Sequence, residues 1–300
     1  MAEVLSTLQS LFTFAFVVTS MLVMGMSLTI GQIVEPLRNL RLVIVALVAS
    51  FVVVPVTAFV LKQVIPMEEE LQIGLILMAS AHGAPFLPKM AQIAKANLAF
   101  SVALMTLLIV ATVISLPIVL PILLPGVTVD AGQIALSLFG QMIVPLAIGL
   151  IVRARWEDAA DEAKKPLAQI SNVSLVLLLV LMLGLNIQNV IDLFGSGALI
   201  ATLILTAVAA AAGYFLGGPS PDTRPVVALG TALPNMAASF LVANGSFADR
   251  PNVLVFLAGA GLMVMVIVFP LAAELGKRAA RAKGGPVSVE PAEAGAAEAT

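Results

Sequence analysis

Gly83-Ala84-Pro85-Phe86-Leu87-Pro88-Lys89-Met90-Ala91 interrupts an apolar run from Leu71 to Ala94. Gly230-Thr231-Ala232-Leu233-Pro234-Asn235-Met236-Ala237 interrupts a second run, from Pro225 to Ala243. The two share Leu-Pro-(Lys/Asn)-Met-Ala at an offset of 146 residues, and an Ala-Asn pair follows each, at Ala96-Asn97 and Ala243-Asn244. Proline has no backbone N–H to donate and its ring presses on the preceding turn, so Pro beside Gly unwinds a helix. Within a bilayer, unwound backbone is tolerated only where protein packs around it or where it lines a cavity. A matched pair of interrupted helices is the sequence mark of a transporter's central site. Ordinary proline kinks explain one such span well and two with shared wording poorly.

The rest of the chain fits a membrane setting. Of its 300 residues, 60% are hydrophobic and 11% charged, against roughly 45–50% and about 25% in soluble domains. A membrane-crossing helix needs about 20 mostly apolar residues. Nine stretches qualify: 7–30, 42–61, 71–94, 98–124, 132–152, 167–191, 195–216, 225–243 and 253–275. The first lacks the basic flank and small-residue cleavage site of a signal peptide.

Charge tests the count independently, because cytoplasmic loops carry the Lys/Arg excess. With the N-terminus outside, the inner segments hold Arg38 and Arg41; Lys95; Arg153, Arg155, Lys164 and Lys165; Arg224; and Lys277, Arg278, Arg281 and Lys283. The outer loops hold only Lys62 and Arg250, and Lys89 lies within a span. The reading is an all-α polytopic protein of the plasma (inner) membrane, N-terminus out and C-terminus cytoplasmic. Residues 1–275 form a single transporter unit, and 276–300, rich in Gly, Ala, Pro and Glu, form a disordered tail. The segment from Arg153 to Lys165 reads as a short interfacial helix, with Trp156 at headgroup depth. The absence of cysteine excludes disulfides and thiolate chemistry, and no basic stripe points to nucleic acid.

Several short motifs in order resemble the bile acid:sodium symporter family over about residues 7–275. They are Gly25-Met26-Ser27-Leu28-Thr29, Pro55, Gly74-Leu75-Ile76-Leu77, the stretch from Lys95-Ala96-Asn97 to Val102, and the stretch from Pro145-Leu146-Ala147 to Val152. The resemblance implies an inverted repeat with two crossing broken helices, as in the nine-helix members. It implies a panel of about 7–30 and 132–191 and a core of about 42–124 and 195–275. It also implies sodium-driven uptake of organic anions.

The sodium-ligand positions depart from that pattern. The family's Ser-Asn pair falls on Leu87-Pro88, a Thr on Met105, the acidic ligand on Gly230, its Gln neighbour on Pro234, and another Gln on Ser50. Only Ser101 and Asn235 match, a vestige of the site. Sodium exchanges its hydration shell for hard oxygen ligands, so sodium coupling is not the expectation and no cofactor is implied.

No acidic residue lies at mid-membrane, which leaves two titratable residues in the broken third span, His82 and Lys89. An intramembrane charge is costly and usually functional. Lys89 follows Pro88 and stands opposite Asn235 in the repeat, where an ammonium can replace sodium's charge or bind an anionic substrate, aided by the half-helix N-terminus. The alternative is that it snorkels to the inner surface. His82, the one histidine, is a proton-switch or a structural residue. Asn235 offers donors and an acceptor at the second break. Thr231, Ser239, Asn186 and Pro234 complete the candidate substrate and ion site. The leading function is secondary active transport of a small or amphipathic organic anion, with proton coupling as an option. The alternative is an uncoupled facilitator of the same fold. An intramembrane enzyme is disfavoured, because Gly25-Met26-Ser27-Leu28 is a weak protease match and no metal or paired-Asp motif occurs.

Overall fold

The computed structural model describes residues 2–34, 39–125, 130–185 and 187–282. Among them helices are the only regular elements, apart from one isolated bridge. The chain opens with α1 (Ala2–Met26) and the short α2 (Ile30–Val34). Then α3 (Leu40–Val48) runs through a π turn at Ala49–Val53 into α4 (Val54–Val64). The first interrupted run forms α5 (Glu69–Ser80) and α6 (Leu87–Ile93), and α7 (Leu98–Leu123) follows. A second π turn, Phe139–Ile143, joins α8 (Ala131–Leu138) to α9 (Val144–Arg155). Next come α10 (Glu157–Leu185), α11 (Ile187–Leu193) and α12 (Ala198–Leu216). The second interrupted run forms α13 (Arg224–Ala232) and α14 (Met236–Ser246), and α15 (Pro251–Ala282) closes the chain.

Seven of the described helices are long and apolar enough to cross a membrane. The other two apolar runs, 71–94 and 225–243, fold as pairs of shorter helices rather than as continuous spans. Both π turns lie just before a proline, Pro55 and Pro145. A proline ring crowds the carbonyl four residues back, and a widened turn relieves that contact without ending the helix.

Two boundaries correct the sequence reading. Residues 157–165 are not a separate interfacial helix: the chain breaks only at Trp156, and α10 runs unbroken from Glu157. Arg153 bridges that corner to Glu157 at 2.6 Å and Asp161 at 2.8 Å, which favours one continuous helix over a surface-lying one. Helix α15 extends to Ala282, so 276–282 are helical rather than tail. Good helix formers and the Glu274–Arg278 pair at 3.0 Å support that last stretch. From 283 onward the tail lies outside the described residues.

Packing brings small residues to the closest approaches. Helix α1 lies along α9 and α10. At the α1–α9 contact Gly25 faces Gly149, and a Cβ on either would collide with the backbone of the other helix. Close backbone approach through small residues is the usual way membrane helices gain packing without a hydrophobic drive between them. On the other side α12 packs along α13 and also touches α4 and α15. The second broken run thus touches both sides, with α13 against α12 and α14 against α1.

Candidate functional site

The first break spans 81–86 and the second 233–235, and the two meet back to back. His82 and Pro234 form an antiparallel bridge. The Asn235 N–H donates to the Ala81 carbonyl at 2.8 Å, and its Nδ2 reaches the His82 carbonyl at 3.4 Å. Unwound backbone at this depth needs internal partners, and each break supplies the other's. Thr112 on α7 closes the arrangement: its hydroxyl accepts from the His82 N–H and donates to the His82 carbonyl, both at 2.8 Å. Gly83 makes the first break possible. Its φ is +91°, and a Cβ there would stand 2.5 Å from the Ile109 backbone nitrogen.

Asn235 is the N-cap of α14, its Oδ1 accepting from the Ala238 N–H at 3.1 Å. It is fully buried, and its side chain is spent on holding the crossing. Ser239 donates to the Asn235 carbonyl at 3.2 Å, and Ser101 to the Leu98 carbonyl at 2.6 Å. Both are buried and bonded within their own helix turns. Asn186 lies outside the described residues.

The shared five-residue wording occupies different positions in the two breaks. In the first, Leu87-Pro88 opens α6 after the unwound stretch; in the second, Leu233-Pro234-Asn235 is the unwound stretch itself. Lys89 therefore does not stand opposite Asn235, whose backbone and amide partners are Ala81 and His82. Lys89 lies in the first turn of α6, which is only seven residues long, less than two turns. Its side chain is exposed, with Nζ 3.4 Å from Gln92 Oε1.

Lys89 instead lines a cavity of about 640 Å³, within the roughly 300–1,000 Å³ of small-molecule sites. Pro88 and Pro234 also line it. The walls come from α1 and α10 on one side and from α6, α14 and α15 on the other. Apolar side chains such as Phe16, Phe240 and Met265 dominate them, and the hydroxyls of Ser20 and Ser171, 2.6 Å apart, join α1 to α10 there. Lys89 is the single charged residue among the described lining, and no described carboxylate pairs with it. Gln92 and Asn172 also line this wall, and no sequence motif marks either.

A second, much smaller cavity of about 10 Å³ lies on the other side of Pro234, between His82 and Thr231. His82 is 1% exposed, its ring edge-on to Phe51 with centroids 5.2 Å apart. His82 Nδ1 and Thr231 Oγ1 are buried without a partner among the described residues, as are the hydroxyls of Ser50 and Ser80. That volume is at the lower limit for one water molecule.

At the crossing Gly230 supplies no side-chain oxygen. A Cβ on Gly230 would meet the Leu87 and Leu104 methyls at 3.1 and 3.3 Å, so leucine side chains fill the space an acidic ligand would need. Asn235 Oδ1 is already capping α14, and the Ala81 and His82 carbonyls already accept hydrogen bonds. Among the described residues no cluster of three His, Cys, Asp or Glu exists.

Comparison with known proteins agrees on one lineage. Residues 14–193 match the model of the Sodium Bile acid symporter family. The Bacillus subtilis (strain 168) protein named "Uncharacterized sodium-dependent transporter YocS" is 27% identical over 195 residues, 65% of this chain and 59% of that protein. The Oryza sativa subsp. japonica protein named "Probable sodium/metabolite cotransporter BASS2, chloroplastic" is 25% identical over 236 residues, 76% of this chain and 55% of that protein. The matches thus span less than two thirds of either relative.

Proposed function

Because the chain belongs to the Sodium Bile acid symporter family, we propose that it is a membrane carrier moving a small or amphipathic organic anion by alternating access. In this reading the seven continuous helices and the two broken runs make nine crossings, arranged as an inverted repeat. A panel built on α1 and α8–α11 rocks against a core built on α3–α7 and α12–α15. The observation that carries the reading is the cavity of about 640 Å³ between those two groups, apolar except for Lys89 and a few neutral polar side chains. An apolar body with one anionic group matches such a wall, since the ammonium attracts the charge and the Phe, Met and Leu surfaces bury the rest. The cavity extends to the end of α1, at Ser27 and Leu28, and to the start of α7, at Leu98. By the distribution of basic residues that end faces the cytoplasm, so the conformation is inward-open.

The donor set at the crossing argues for transport without sodium, although both relatives are named for it. His82 offers a proton-coupled alternative, and an uncoupled facilitator is the other. Uptake of ionised organic anions into proteoliposomes, run with a sodium gradient, with a proton gradient and with neither, separates the three. The expected result is saturable uptake that a sodium gradient does not raise. Lys89→Met raises the apparent KM at least tenfold, and a variant transporting with unchanged KM sinks the role given to Lys89.

A further inference from the structure

We infer that this carrier is an obligatory anion exchanger, in which the tethered charge of Lys89 prevents the empty site from returning across the membrane. The inference rests on the organic-anion reading above and adds the mode of transport.

A dissociable coupling cation and a lysine differ in one respect. A free cation leaves with its cargo, and the emptied site is neutral. An ammonium on a side chain cannot leave. In the open conformation this costs little, because the Lys89 side chain is exposed and lines the cavity. Alternating access, however, requires a state in which the cavity is closed on both sides. In that state the Lys89 ammonium meets Phe86, Met105 and Pro88, which share its wall. Its one described polar contact is the neutral amide of Gln92. No described acidic side chain lines the cavity to pair with it. An unpaired cation confined among apolar side chains at membrane depth is strongly disfavoured. An anion bound beside it removes that penalty by pairing. The loaded carrier therefore closes and reopens readily, and the empty carrier does so slowly.

The crossing itself supports the same mode. With Leu87 and Leu104 packed against Gly230 and Asn235 engaged in capping α14, neither of these two positions offers an uncommitted side-chain oxygen to a cation whose loss would discharge the empty carrier. The charge balance also follows. A monoanion paired with Lys89 makes the moving site neutral, so one anion in and one out transfers no net charge. Net uptake, by contrast, returns an empty cationic site and moves charge.

The test uses the full-length protein in proteoliposomes with two radiolabelled probes, taurocholate and naphthalene-2-sulfonate, whose sulfonates stay ionised and do not cross lipid unaided. Vesicles are preloaded with the same unlabelled anion or left free of it. Initial uptake is expected to be at least tenfold faster into the preloaded vesicles, and unchanged when a potassium/valinomycin potential is imposed. Lys89→Arg keeps the difference, and Lys89→Gln brings the ratio of the two rates toward one whatever its absolute rate. Equal uptake into loaded and empty vesicles by the unmodified protein, with or without a pH gradient, overturns exchange and leaves the transport reading intact. A potential-driven preloaded flux overturns it as well. No saturable uptake of either probe in any loading overturns both readings.

Discussion

Gly83 shows how much rests on one atom's absence. The +91° φ lies where a side chain is strained by about 1–3 kcal/mol, and the Ile109 backbone nitrogen blocks the Cβ besides. Gly83→Ala is expected to lower the melting temperature in detergent, followed by circular dichroism at 222 nm, and to abolish transport. Asn235 carries a milder load. Asn235→Ala removes the α14 cap and the contact with the His82 carbonyl, costing about 1–2 kcal/mol, while Asn235→Ser restores the cap alone and recovers part of that. Equal melting temperatures for the alanine and serine variants would show that the cap is not what Asn235 contributes. At this scale the sequence was only partly legible. The composition of the breaks marked Gly83, Pro88, Pro234 and Asn235 as special residues. It did not reveal that Asn235 is consumed by structure while Lys89 turns into a cavity, because the shared Leu-Pro-x-Met-Ala wording begins a helix in one break and interrupts one in the other.

Elements were easier to read than their ends. Hydrophobic length located every long helix, since a 20-residue apolar run has no other stable use in this composition. Ends depend on local hydrogen bonds that length does not encode. Lys62 shows this: its Nζ reaches the Leu123 carbonyl at 2.6 Å, satisfying an orphan acceptor at the end of α7, and also stands 4.8 Å from the Phe59 ring centroid. A residue that reads as an outer-loop charge is thus a cap for a neighbouring helix. Contacts between helices follow the same lesson. The glycines of α1 and α9 meet where neither could bear a Cβ, and no motif within one helix predicts its partner on another. Gly25→Val is expected to part the two helices and cost several kcal/mol, read as a lower melting temperature and aggregation on size-exclusion chromatography. Gly140→Ala meets nothing within 4 Å and should leave stability unchanged or slightly improved. Equal behaviour of the two variants would mean that the α1–α9 contact is not close-packed in the membrane.

At the scale of the whole molecule, the scarcity of charge is its organising feature. Basic residues gather at one end of the bundle, where Arg153 and Lys164 share Asp161, while Arg250 and Glu69 pair at 2.6 Å in the segment between the α14 and α15 helices and the start of α5. Asn252 joins the same corner, its N–H donating to Glu70 at 2.9 Å. Positive-inside orientation then makes a statement about every loop at once, and the cysteine-free chain allows it to be read without background. Single cysteines at exposed positions 68 and 249, as Glu68→Cys and Asp249→Cys, should react with a membrane-impermeant maleimide added to intact cells. A cysteine at position 158, as Asp158→Cys, should react only after permeabilisation. Because consecutive crossings alternate, these three reactivities are coupled through the two broken runs. If either run failed to cross, residues on its two sides would label from one face, and position 158 would share its accessibility with 68 or 249. The same three cysteines thus test the orientation and the nine-crossing count together: labelling of 158 alone from outside would reverse the orientation, and labelling of all three from outside would remove the nine-crossing count.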